Sequence, residues 1–295
     1  MKFCAALYTM TDFSNDTIRF FEALQAIKDC GFDRVMLLSR QDNGPALTRG
    51  HTPDGCLLNL VESDLDLVEG HLMRAGVAPR IVFAAGLTAT TTASVTPHDD
   101  EAWLRSICRA TEELGCHHVG HSVGRAEQPG MDTDDKCEQI QCLASLVGDI
   151  AAEFPQLQFG ADVHYQGTLE SVEDCELNLQ ELTAENAGIL LNMGHLSTCD
   201  QPGWELAQKY PDRTPICAWK DHTDDPEGKR PFVSVQLGTG DTPLEKYVEV
   251  IKPQLSDRAH VIAVEGLPPD ERAPALKKSR EYLEDIWDRT QVNNV

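Results

Sequence analysis

A chain of 295 residues, 41% of them hydrophobic, has room for two ordinary domains or one large α/β barrel. Its formal charge of −23 and sequence pI near 4.7 set up a field that repels polyanions, which argues against sequence-independent binding to nucleic acid or anionic membranes. The ten cysteines are scattered singly with no CxxC pair, and most lie in apolar-periodic segments, so they read as small hydrophobes of a reducing compartment rather than as disulfides or zinc ligands. The run Phe3 to Tyr8 is too short for a signal-peptide core and no stretch approaches a membrane span, so the expected location is cytoplasmic.

In chain order, Lys2 to Tyr8 reads as a buried strand. A helix from about Asp16 to Cys30 follows, with Phe20, Leu24 and Ile27 at helical spacing, Ser14 or Asn15 as cap and Gly31 as stop. Asp33 to Ser39 is a second strand, leading through a Gly/Pro/Asn-rich loop to a helix carrying Leu65, Val68 and Leu72 before Gly76. Val77 to Ala85 is a third strand interrupted by Pro79. A Thr-rich loop to Asp100 precedes a helix with Trp103, Ile107, Ala110 and Leu114.

The fourth strand, His117 to Ser122, is weaker, and its helix carries Ile140, Leu143, Val147 and Ile150. Leu157 to Val163 and the helix Ser171 to Leu182 make the fifth unit. The run Gly188 to Leu191 and a short helix around Trp204 to Tyr210 make the sixth. Pro215 to Lys220 with the helix through Leu244, Tyr247 and Ile251, then His260 to Val264 with Pro274 to Trp287, complete eight units. Alternating strands and helices imply parallel strands with helical crossovers, and eight of them in this length favour a closed (β/α)8 TIM barrel, read as one domain over residues 1–295. There is no GxGxxG after the first strand and no GxxxxGK[ST], which weakens nucleotide binding.

In such a barrel, chemistry sits just past the C-terminal end of each strand. The later strands end in ionisable groups: Asp162-Val163-His164, Asn192-Met193-Gly194-His195, Ala218-Trp219-Lys220-Asp221-His222, and Glu265. Alternation puts Asp162 with His164 on one face and, if the strand continues, Ala218, Lys220 and His222 on another. His117, His118 and His121 are also close in sequence, but adjacent histidines on a strand point opposite ways. Gly238-Thr-Gly-Asp241 either offers backbone N–H groups to an anion or forms a tight turn.

From Leu157 onward the chain resembles the xylose isomerase-like sugar phosphate isomerase/epimerase barrels. The likeness rests on Asp162-x-His164, Asn192-x-Gly-His195, Ala218-x-Lys220-Asp221, Gly238-x-Gly-Asp241 and Val264-Glu265; before Leu157 only the strand rhythm and Gly31-Phe32-Asp33 match, with Met36 where a Glu is often found. The resemblance implies one divalent metal (Mn, Mg, Co or Zn) held by a strand-five Glu, strand-six Asp, strand-seven His and strand-eight Glu. Here those positions are Asp162, Asn192, Ala218 and Glu265. The metal set expected on this chain is therefore Asp162, Asn192 and Glu265, with His222 or His195 substituting for the missing imidazole, or else the metal is gone.

The expected catalytic groups are Asp162, Glu265, His195 and Lys220, with His164, Trp219 and Arg230 binding substrate. The expected activity moves a proton beside the carbonyl of a small sugar, polyol or sugar-derived keto acid. The alternatives are a lyase or dehydratase on the same barrel and a metal-free, non-catalytic sugar-binding barrel. The expected partner is a small carbohydrate-like molecule, with neither nucleic acid nor membrane, and self-association into a homo-oligomer is left open.

Overall fold

The computed structural model describes residues 2–11, 18–41, 44–87, 97–124, 133–254 and 257–291. Eight parallel strands close into a barrel: β1 (Cys4–Ala6), β2 (Arg34–Arg40), β3 (Ala78–Ala85), β4 (His118–His121), β5 (Gln158–Asp162), β6 (Ala187–Asn192), β7 (Ile216–Trp219) and, after a small hairpin of β8 (Asp221–Thr223) and β9 (Val233–Val235), β10 (Ala259–Ile262). Going round the ring the order is β1, β10, β7, β6, β5, β4, β3, β2. The helices are α1 (Phe20–Asp29), α2 (Leu65–Ala75), α3 (Pro97–Glu113), α4 (Thr133–Glu153), α5 (Val172–Glu181), α6 (Met193–Thr198), α7 (Gly203–Lys209), α8 (Leu244–Ile251) and α9 (Pro269–Arg289). Among the described residues, no helix is long and apolar enough to cross a membrane.

Local chemistry explains the ends of two helices. Asp64 caps α2 through Leu67 N–H, and Gly76 closes it at φ 69°, where a side chain would be strained. Ser171 and Asp174 form a reciprocal capping box on α5. The caps expected at Ser14 or Asn15, and a helix start at Asp16, lie outside the described residues.

Pro79 interrupts β3 as expected: it has no N–H to give the ladder, and the pairing slips there, Val35 facing Pro79 and Met36 facing Ile81. Two departures bear on function. The chain after β6 forms the short helix α6 rather than a loop, so His195 sits on a helix. After Lys220 the chain leaves the barrel, and Asp221–Thr223 pairs antiparallel with Val233–Val235. The barrel strand does not reach His222.

Candidate functional site

Side chains from all eight barrel strands or the residues just past them meet in a cavity of about 430 Å³ at the C-terminal mouth of the barrel, a size suited to a small organic ligand. β7 alternates, so Ala218 and Lys220 point inward while Trp219 points outward. Trp219 is fully buried, donates from Nε1 to His260 Nδ1 at 3.1 Å and packs edge-on to Trp287 of α9. The expectation that Trp219 binds substrate is therefore corrected: its period-two position puts it in the layer between barrel and helices.

Lys220 is the charge centre of the cavity. Its Nζ donates to Glu265 Oε1 at 2.5 Å and lies 5.6 Å from the centre of the Tyr8 ring. Burial disfavours its charge, but Glu265, Tyr8 and Asp162 together raise its pKa, so it is a permanent ammonium. Glu265 feels the same cation in reverse. Burial would raise its pKa, yet Lys220 brings it below the usual 4.5. Its backbone N–H donates to Ser234 Oγ at 3.1 Å, so the β8–β9 hairpin fixes where this carboxylate stands.

Asp162, on the far side of β6 and β7 from Glu265, behaves oppositely. Burial raises its pKa above 3.8, outweighing His164, Lys220 and a 2.8 Å hydrogen bond from Asn192 Nδ2. Two carboxylates of one cavity are thus pushed apart, one toward the acid form and one toward the base form.

Tyr8 was not among the sequence candidates. It lies in the 3-10 turn Leu7–Met10 just past β1 and lines the cavity, hydrogen-bonded to Lys220, and burial raises its pKa. Applying the strand-end rule to β1 as well as to the later strands would have found it.

The histidines form a layer beside this centre. His164 is exposed, lines the cavity and lies against buried His195, with ring centres 3.8 Å apart and the planes tilted by 34°. Neither ring nitrogen of His195 has a hydrogen-bond partner among the described residues, and burial, then Lys220, hold its pKa well below 6.5, so it is neutral. His222 lies behind it, stacked on Phe232 at 4.3 Å, with Nδ1 2.9 Å from Thr198 Oγ1. Burial, then Lys220, lowers its pKa to about 3. The expected role of His222 as a metal ligand is corrected, because the hairpin turns it against α6 and away from the cavity wall.

The glycine of Asn192-Met-Gly-His195 is explained by the same packing. A Cβ at Gly194 would stand 2.8 to 2.9 Å from three atoms of the His222 ring, which Phe232 backs from the other side. Gly194→Ala should therefore destabilise the protein by about 1–2 kcal/mol, the overlap outweighing the roughly 1 kcal/mol that Ala gains over Gly in a helix. A denaturant midpoint equal to or above that of the parent protein would refute this account.

Other expectations resolve simply. Arg230 is exposed in the β8–β9 connection, and its backbone N–H donates to Asp225 Oδ2 at 2.9 Å. Its side chain is not on the cavity wall, so the expectation that it binds substrate is corrected. Gly238-Thr-Gly-Asp241 is a turn around the Asp221 side chain: Gly238 and Gly240 N–H donate to Asp221 Oδ2 at 2.8 and 2.9 Å, and Thr242 N–H to Oδ1 at 3.0 Å. His118 and His121 occupy opposite faces of β4 and share no site.

The donor set does not fit a divalent ion. Among the described residues no three His, Cys, Asp or Glu side chains converge to hold one. Ala218 presents a methyl group where an imidazole would be needed, Asn192 turns its NH₂ toward Asp162, and Glu265 is engaged by an ammonium. A dication there would face Lys220 at close range with too few anions to offset the repulsion.

No family model and no curated protein matches this sequence. Solved structures do match over nearly the whole chain. A xylose isomerase domain protein from Alicyclobacillus acidocaldarius superposes with a TM-score of 0.70 at 16% identity, covering 98% of this chain and 99% of its own. The fold is that of the xylose isomerase-like barrels. The IOLI protein with a bound zinc atom matches this barrel at 0.71 and 17% identity, covering 99% of both chains. D-allulose 3-epimerase from Methylomonas sp., in complex with D-allulose, matches at 0.71 and 13% identity, covering 97% of this chain and 96% of its own.

Proposed function

We propose that this xylose isomerase-like barrel moves a proton next to the carbonyl of a small carbohydrate-like compound, as an epimerase or isomerase, and that it does so without a divalent metal. The carrying observation is Lys220, an ammonium in the same cavity as two carboxylates whose proton affinities are driven in opposite directions. Sugar epimerases among the structural neighbours support the reaction class.

Removing a proton beside a carbonyl leaves negative charge on the carbonyl oxygen, and a fixed cation in a poorly hydrated pocket stabilises it. Lys220 supplies that cation. Glu265, whose carboxylate form Lys220 favours, takes the proton, and Asp162, whose acid form burial favours, delivers one to the opposite face of the planar intermediate. Tyr8 and Glu265 hold the ammonium in place. Neutral His195 is not on the cavity wall; it backs His164, which is.

The test is solvent-deuterium incorporation into α-hydroxy ketones by chelator-dialysed protein, read by proton NMR. Exchange at the carbon beside the carbonyl, unchanged by chelator and by added Mn or Zn, is expected. Absence of exchange across ketotetroses, ketopentoses, ketohexoses and α-hydroxy ketones with alkyl or aryl arms would refute the proton-transfer reading; exchange restored only by metal would refute the metal-free part.

A further inference from the structure

The cavity is chemically two-sided, and the division follows the strands. Asp162, Asn192, Lys220 and Glu265 come from the ends of β5, β6, β7 and β10, whereas β2 and β3 contribute Met36, Leu38, Phe83 and Ala85. Met36 and Leu38 are the inward positions of β2 by simple alternation. Phe83 is only partly buried, so part of its ring faces the cavity. It is seated against β4 because residue 120 is glycine, where a Cβ would come 2.7 Å from Phe83 Cδ2.

Among the described residues lining this side, the one hydroxyl, Ser122, is already committed. Its Oγ accepts from Gly86 N–H at 3.1 Å and donates to Leu87 O at 3.3 Å. Among the described residues that line the cavity, the β2–β4 side therefore holds no charged group and no uncommitted polar side chain, the next inward position of β2, Arg40, falling outside the lining. A sugar hydroxylated at every carbon would bury hydroxyls there without partners, losing about tenfold in affinity for each.

We infer that the substrate is an α-hydroxy carbonyl compound with an apolar alkyl or aryl arm. Its polar head lies at Lys220, Glu265 and Asp162, and its arm lies along Met36, Leu38 and Phe83. This specificity rests on the proton-transfer reading of the same cavity, which orients the head, and it separates this chain from a binder of fully hydroxylated ketoses.

Isothermal titration of the intact protein with 1-hydroxyhexan-2-one, 1-hydroxy-4-phenylbutan-2-one, dihydroxyacetone and D-fructose tests it, with deuterium exchange followed on the same four compounds. The two compounds with apolar arms should bind at least about tenfold tighter than D-fructose. Met36→Gln should cut their advantage over dihydroxyacetone by about tenfold. D-fructose binding as tightly as the arm-bearing ketones in the unmodified protein would overturn the inference whether or not the variant folds. If the arm-bearing ketones bind best and no compound exchanges deuterium, the specificity stands and the proton-transfer reading fails. If D-fructose both binds and exchanges best, the reverse holds.

Discussion

Replacing Lys220 by Met should reduce carbonyl-adjacent deuterium exchange by on the order of 1000-fold, the loss expected when the main stabiliser of a developing oxyanion is removed. Met keeps the length and the apolar stem, so the change isolates the charge. The same variant breaks an ion pair with a 5% exposed ammonium and a 31% exposed carboxylate. Full burial of both partners would make that cost about 3–5 kcal/mol, but water reaches Glu265, so about 2 kcal/mol is the better expectation. The pH dependence gives a further readout. Lys220 lowers the pKa of Glu265 and of Asp162, so without it both rise and both limbs of the activity profile move to higher pH. Unchanged exchange in a folded Lys220→Met protein would eliminate the ammonium as electrophile.

Asp162→Asn and Glu265→Gln should fail in different ways. Glu265 acts as base only when ionised. Its pKa lies below 4.5, so the acid limb of the parent profile falls below that value. Asp162 acts as acid only when protonated, and burial carries its pKa above 3.8, so the alkaline limb follows that raised value. Glu265→Gln should abolish proton removal from the substrate isomer facing it, a loss of about 100- to 10,000-fold. Asp162→Asn leaves that step intact but removes the donor on the other face. Deuterium then enters the starting isomer while formation of its epimer drops by a similar factor. NMR of recovered substrate separates exchange from inversion. Equal loss of both in Asp162→Asn would show that the two carboxylates do not work from opposite faces.

The eight-unit rhythm was legible because most barrel strands carry a short buried apolar run, and the crossover helices carry a stripe at helical spacing. Asp162, Asn192, Ala218, Lys220 and Glu265 were legible as neighbours because a parallel barrel delivers all strand ends to one mouth. Trp219 and Arg230 were misplaced for different reasons. Trp219 is one residue out of phase with the inward face, while Arg230 belongs to a hairpin whose direction no local pattern specifies. His222 was misjudged because the chain turns into that hairpin one residue after Lys220, a change of partner that alternation cannot reveal.

The sequence by itself determined the strand and helix order, the closed barrel and the missing strand-seven imidazole, since these depend on periodicity and residue identity. Only the tertiary structure decided how the charges balance. The engagement of Glu265 by Lys220, the raised pKa of Asp162 beside Asn192, the seating of Phe83 over Gly120 and the capture of Asp221 by its own glycine turn all arise between residues distant in the chain. Proton affinity and desolvation depend on distances and burial that exist only once the barrel has closed.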